Sequence, residues 1–411
     1  MIKFERFKLD NGLTVIVHPD NSTPLACMNI LYNVGARDES PDKTGFAHLF
    51  EHLMFGGSVN IPSYDEPLQR VGGENNAFTT NDITNYYLSL PSQNLETAFW
   101  LESDRMLNLA FSEKSLEVQR NVVIEEFKQR YLNQPYGDVW LLIRPMAFKV
   151  HPYQWDTIGK EIAHIEHAKI GDVKEFFKKF YCPNNAIMVV AGNVELGEVK
   201  KLSEKWFGSI PKGPENKRKL PVEPVQTEPR SLTVKRDVPL DAIYKVYHMC
   251  SRYDQEFYAV DILSELLSRG NSSRLYKELV KIKKLFSEIN AFTFGDFDKG
   301  LFVISGNLVK GVQMEEAEKA IEEELKKIRT EKVKEDELIK VKNKMESTIT
   351  FSKMDVLTKS TNLAISELLG DADLINREEQ RYGSVSQEQV MEQANLVFDK
   401  NNCSTLYYLS K

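Results

Sequence analysis

Seven histidines are spread over this chain of 411 residues, and two of them stand four apart in His48-Leu49-Phe50-Glu51-His52. Each helical residue advances by about 100°, so Glu51, His48 and His52 fall within roughly 100° of arc on one face. Two imidazoles one turn apart can grip a single divalent ion, and a carboxylate between them can act on a water beside it. The order His-x-x-Glu-His reverses the commoner zinc-protease arrangement. The plainer expectation for a histidine on an apolar helix face is a satisfied core residue. The paired spacing with an acid between favours the metal. The stretch reads as a zinc hydrolase site that still needs a third protein ligand.

The elements that must position these groups follow from pattern. Residues 45–56 have helical length and no proline, and Gly56-Gly57 supply a stop. Before them, 7–17 read as two strands around Asn11-Gly12, and 26–34 as a third strand. After them, Gly72-Gly73-Glu74-Asn75-Asn76 is a turn into strand-like pieces at 77–80 and 84–90. Helical periodicity covers 95–106, 112–131, 170–181 and 196–207, with a buried-strand run at 186–191.

Residues 210–230 change character, with Pro211, Pro214, Pro221, Pro224 and Pro229 among many charges, and read as a linker or strap. Strands at 231–238 and 242–249 and a helix at 255–268 restart the earlier order. A strand piece at 301–306, a charged helical region over 314–352, of which Glu315 to Lys344 is expected as surface with no partner implied, and a strand at 403–409 close the chain. His48 to Gly56 can be laid over Ile262 to Gly270, a shift of 214 residues (262 against 48) that is close to half the chain. Ile262 and Leu266 then stand where the histidines stand, as expected of a duplication with one silent copy. The domains are expected at 1–212 (zinc-binding), 213–230 (linker) and 231–411 (structural repeat).

Composition narrows the function. With 42% hydrophobic and 27% charged residues the chain can build real cores. A net charge of −7 argues against a nucleic-acid binder. No apolar run reaches the ~20 residues of a membrane span. Met1-Ile2-Lys3-Phe4 enters a strand directly, so a cytoplasmic location is expected, or a periplasmic one if a signal peptide has been removed. Cys27, Cys182, Cys250 and Cys403 are far apart and read as isolated thiols.

The third ligand can come from Glu125 or Glu126 on the next amphipathic helix, where Val122, Val123 and Ile124 imply partial burial. A buried carboxylate is costly unless it is paired or binds a metal. Here the chain resembles the pitrilysin (insulinase) family of inverzincin zinc metallopeptidases, particularly its short processing-peptidase-like subunits. The resemblance rests on His-x-x-Glu-His followed by the Arg120-Asn121-Val122-Val123-Ile124-Glu125-Glu126 helix, Glu126 lying 74 residues after His52. Gly73 to Thr79 is similar to the family's Asn-Ala-x-Thr segment, and Phe180 to Val194 to the end of its first domain.

The resemblance implies an α+β fold of two homologous domains, each an antiparallel sheet with helices on one face. It implies Zn2+ held by His48, His52 and Glu126, with Glu51 as general base in the hydrolysis of extended peptides. It places substrate at Asn76 and Ala77 on a sheet edge. Gln119 stands where the family has a Glu in the outer shell of the metal, and it carries no charge there. Val280 and Ser287 occupy positions where active members supply an Arg and a Tyr, while Arg274 and Tyr276 have the wrong spacing. The expectation is therefore a metal-bearing subunit completed by a second family subunit that brings the Arg/Tyr pair, a homodimer being the other possibility. Two alternatives remain. One is a non-catalytic scaffold subunit of the same family. The other is a site at His164 and His167 with Glu161 and Glu166, a stretch that otherwise reads as a solvated helix face.

Overall fold

The computed structural model describes residues 1–411. The chain opens with β1 (Glu5–Lys8), β2 (Thr14–Pro19), β3 (Leu25–Tyr32), α1 (Phe46–Met54), α2 (Asp65–Arg70), β4 (Glu74–Thr79) and β5 (Thr84–Pro91). Helices α3 (Leu95–Asn108), α4 (Glu113–Phe127), α5 (Val139–Ala147), α6 (Ile162–Glu166) and α7 (Ile170–Phe180) lead to β6 (Ala186–Gly192) and α8 (Leu196–Phe207). The second half runs β7 (Arg230–Arg236), β8 (Ala242–His248), α9 (Phe257–Ser268), β9 (Phe286–Phe294) and β10 (Leu301–Leu308). It closes with α10 (Met314–Thr330), α11 (Glu335–Ser352), α12 (Val356–Leu368), α13 (Leu374–Ser384), α14 (Gln387–Val397) and β11 (Cys403–Ser410).

Two sheets result, ordered β1-β2-β6-β3-β5-β4 and β7-β11-β8-β10-β9. Apart from β1, which pairs with β2 as a hairpin, the two orders are one topology repeated. Matching strands, and α1 with α9, start 211 to 217 residues apart, so the duplication extends far beyond the helix that suggested it. Neither sheet is wholly antiparallel: β2 pairs with β6, and β7 with β11, in parallel. Each of those strands returns after a long excursion through helices, which is the connection a parallel pair requires.

The halves of the chain are not self-contained segments. One compact unit comprises 1–127, 155–220 and 350–377, and the other 128–154, 221–349 and 378–411. This differs from the contiguous domains 1–212 and 231–411. In the first unit, Cys27 and Asn29 of β3 meet Ser360 and Thr361 of α12, so that helix covers the sheet face carrying the odd-numbered β3 side chains. The even-numbered Tyr32 faces Tyr86 and Tyr181, and Tyr181 in turn stacks near Phe50 of α1. In the second unit, Ile243, Tyr247, Phe302 and Ile304 form one core with α9, α10 and α14. The alternate residues Ala242, Val246, Leu301 and Val303 form another with Val139, Ile143 and Phe148 on and after α5. Each sheet thus carries helices on both faces, one of them donated from the other half of the sequence.

Two further expectations change. The charged region 314–352 is two helices, broken where Val333 turns into the core. One stripe of α10 is not surface at all: Ala317, Ala320, Ile321, Leu325 and Ile328 are buried at helical spacing. The proline-rich strap has no helix or strand between α8 and β7, yet it is pinned. Arg218 forks onto Asp38 at 2.6 and 2.9 Å, and the Glu223 carboxylate accepts the backbone N–H groups of Lys149, Val150 and His151.

Candidate metal centre

The helix α1 is amphipathic in the sense the chemistry needs. Phe46, Ala47, Leu49, Phe50, Leu53 and Met54 are buried, which leaves His48, Glu51 and His52 on the remaining stripe. Its first cap is Gly45 at φ 84°, where a Cβ would lie 2.7 Å from the Ile158 carbonyl oxygen, so glycine is required by both torsion and space. Helix α4 packs across α1 and brings one acid to the pair of imidazoles. Glu126 Oε2 lies 3.7 Å from His48 Nε2 and 3.5 Å from His52 Nε2. One donor atom from each of the three residues lies within 4.8 Å of the others.

These spacings can be compared with what a metal requires. A tetrahedral zinc with bonds of about 2.1 Å holds its ligands about 3.4 Å apart. The Glu126 oxygen, at 3.5 and 3.7 Å from the two imidazole nitrogens, is within a few tenths of an ångström of that spacing, and all three donors fall within 4.8 Å of one another. The donor set, two His and one Glu with a fourth position open, is that of a catalytic rather than a structural zinc site. The three side chains are 14%, 24% and 18% exposed, sheltered but reachable. Glu125, the other sequence candidate, lies exposed on α4, and the three converging donors are those of His48, His52 and Glu126.

Glu51 points its carboxylate to strand β4, where the Thr79 hydroxyl donates to Oε2 at 2.5 Å. Burial pushes the Glu51 carboxyl above its ordinary value, opposed by the Thr79 hydrogen bond and the neighbouring His52 and assisted by the Glu126 charge. Spacing alone could not reveal Thr79 as the partner of Glu51, because the contact joins a helix to a strand 28 residues later. Beneath them lies a second feature that the sequence did not announce. The buried Arg105 guanidinium sits over the rings of Tyr64 and Tyr86 at 4.5 and 4.6 Å, and over Phe55 at the end of α1 at 5.5 Å. Glu102 pairs with it at 2.6 and 2.7 Å, which satisfies a charge that would otherwise be very costly there.

Asn76 and Ala77 lie on β4, which is the edge strand of its sheet beside β5. The Ala77 N–H donates to the Asn76 side-chain oxygen at 2.8 Å. Gln119 lies half-buried on α4 two turns before Glu126, about 10.5 Å along the axis. His164 and His167 do not form a centre. The His164 ring bonds Thr44 through Nδ1 at 2.7 Å and faces Glu161 through Nε2 at 3.0 Å, while His167 is exposed. In the second unit, Ile262 and Leu266 are buried in the core. Val280 packs against that core and Ser287 donates to the Asn307 carbonyl. Arg274 is held by Glu337 at 2.8 and 2.9 Å.

Two family models match the chain. Residues 14–140 match the model described as Insulinase (Peptidase family M16), and residues 168–345 match the one described as Peptidase M16 inactive domain. The zinc protease PqqE of Helicobacter pylori is 33% identical over 346 residues, 83% of this chain and 78% of that one. The Bacillus subtilis zinc protease YmxG is 25% identical over 378 residues, 90% of this chain and 88% of its own. A solved structure of a protease from Helicobacter pylori superposes with a TM-score of 0.93 at 29% identity, covering 99% of this chain and all of the other. The chain belongs to peptidase family M16, the insulinase family, whose relatives here are named zinc proteases.

Proposed function

We propose that this protein is the metal-bearing subunit of a zinc endopeptidase that cleaves extended peptides in a chamber formed with a second subunit. The observation that carries the reading is the convergence of His48, His52 and Glu126 donors within 4.8 Å, with Glu51 held beside them by Thr79. His48, His52 and Glu126 would hold the ion. When bound there, zinc supplies Lewis acidity, lowering the pKa of a coordinated water toward 7 and polarising a carbonyl.

The protein's own groups supply the rest. Glu51 takes the proton of the attacking water and later delivers it to the leaving amine. Burial raises the affinity of its carboxyl for a proton, which favours its taking one from the water. Thr79 fixes which carboxylate oxygen is engaged and leaves the other for the proton. The open edge of β4 offers backbone groups to an extended peptide, which would add as a further strand. The Ala77 N–H is the donor a substrate carbonyl would take, and the Asn76 amide that now occupies it would be displaced. Gln119 would act on the metal through the outer shell, without the charge of a Glu.

The need for a partner rests on Val280 and Ser287. Neither a half-buried valine nor a serine bonded to a carbonyl can bind an oxyanion as an Arg/Tyr pair would. A second family subunit would bring that pair, or a second copy of this chain would compensate by other residues. The same two positions favour a second reading, a scaffold subunit without activity. Elemental analysis and peptide hydrolysis separate the readings. The purified chain should hold one zinc and turn over poorly alone. Hydrolysis should rise when the product of a neighbouring family gene is added, and E51Q should keep the zinc and abolish it. A chain without zinc would leave the scaffold reading. Full turnover by the isolated chain would remove the partner.

A further inference from the structure

Outside the reacting groups stand the Arg105 cluster, the pinned strap and the buried Glu39 carboxylate. Glu39 carries the inference furthest. It is 7% exposed and lies six residues before the α1 cap. Its Oε2 accepts the Gly45 N–H at 2.9 Å and its Oε1 accepts the Ala47 N–H at 2.8 Å. Those are orphan donors at the start of a helix, where no earlier carbonyl can reach them. Gly45 has no side chain to cap them, and its torsion and crowding exclude any residue that would. A carboxylate from outside the helix therefore does what a capping side chain does elsewhere, with the helix dipole in its favour.

The loop bearing Glu39 is itself fastened to the strand that faces the metal helix. Ala36 and Arg37 donate their backbone N–H groups to the carbonyls of Thr80 and Asn81, at 3.1 and 2.9 Å, in the turn that follows β4. Arg37 forms a buried ion pair with Asp82 at 2.7 Å, and Trp155 Nε1 donates to the Ala36 carbonyl at 2.9 Å. Gly35 lies so close that a Cβ would fall 2.5 Å from the Asn81 oxygen. The far end of the same circuit is the Thr79 hydrogen bond to Glu51. Helix α1 is thus tied to β4 twice, directly at Glu51 and through Glu39 at its first turn.

We infer that Glu39 is a positioning residue of the metal centre: its carboxylate sets the pitch of α1 against β4, and with it the meeting of His48 and His52 with Glu126. Glu39 touches neither metal nor substrate. Ala47 precedes His48, so releasing the Ala47 N–H lets the first turn loosen at the residue that begins the site. Burial pushes the Glu39 carboxyl up, and the hydrogen bonds it accepts from Ala47, Gly45 and Trp155 oppose that push and favour the carboxylate.

The inference rests on the zinc reading, and the experiment tells the two apart. E39Q is compared with the unaltered chain in zinc affinity, by chelator competition, and in the visible spectrum of the cobalt-substituted protein. The control is Q226A, which removes buried hydrogen bonds of the other unit. E39Q should weaken zinc binding about 10- to 100-fold, the range for groups that orient ligands, and should shift the cobalt bands. Q226A should change the melting temperature and neither readout. Should E39Q not fold, E39D replaces it, keeping the carboxyl group one methylene short, with a smaller loss of affinity expected. A parent chain that takes up no zinc would overturn the metal reading and this inference together. One zinc in the parent, with affinity and cobalt spectrum unchanged in the Glu39 variant, would overturn this inference alone.

Discussion

The chemistry of the centre is decided by single atoms, and two of them separate neighbouring residues or like side chains. Glu126 meets both imidazoles while Glu125 does not, although they are adjacent in sequence. E126Q should lower zinc affinity more than about 100-fold, beyond what changes in the outer shell cost, and E125Q should leave it unchanged in the same titration. Thr79 is the second test. T79V keeps the shape and removes the donor to Glu51. Steady-state kinetics with the partner present should show kcat down about 10-fold with KM little changed, since only the proton transfer loses its orientation. An equal rise in KM would instead place Thr79 in substrate binding. Of these residues, His48, Glu51 and His52 were legible from spacing within one helix. Glu126 needed the family likeness to be chosen over Glu125, and the contact of Thr79 with Glu51 was invisible until strand and helix were packed.

At the scale of elements, α12 shows how a helix from late in the sequence serves the metal-binding unit. Its Ser360, Leu363 and Ala364 are buried, and Lys359 is paired with Asp20 just after β2. The Lys359 ammonium holds the Asp20 carboxyl well below the usual carboxylate range. A depressed carboxyl contributes stability that is present above its unfolded pKa and lost as pH falls through the folded one. D20N strands the buried Lys359, and should cost about 3 kcal/mol at pH 7. In denaturant titrations that gap should close as the pH is lowered below about 4. A gap independent of pH would mean that packing, not charge, holds α12 on the sheet. Sequence periodicity located α1, α7 and α8 within a residue or two. It did not anticipate α5, α12 or β9, and it merged α10 with α11, because charge on one stripe masks an apolar stripe on the other.

For the molecule as a whole, the duplication explains both the site and its absence. The same five strands recur in the same order, but one copy puts histidines on its first helix and the other puts Ile262 and Leu266 into a core. One chain should therefore bind one zinc, not two. The exchange of segments between units makes a further prediction. A fragment ending at 212 lacks 350–377, so the β3 face lined by Cys27 and Asn29 would be bare. That fragment should be insoluble alone, and co-expression with 213–411 should restore solubility and zinc content. A soluble fragment that binds zinc unaided would show that α12 is dispensable to the centre.

By itself the sequence determined the metal helix, the linker composition and the existence of a silent copy. Each depends on periods of a few residues or on residue types that only one backbone tolerates. The tertiary structure alone decided which groups meet across elements: Thr79 with Glu51, Glu39 with the start of α1, Arg105 beneath Tyr86, and α12 against β3. Those contacts join residues from 6 to more than 300 positions apart, and no local period encodes a distance that only the packed chain creates.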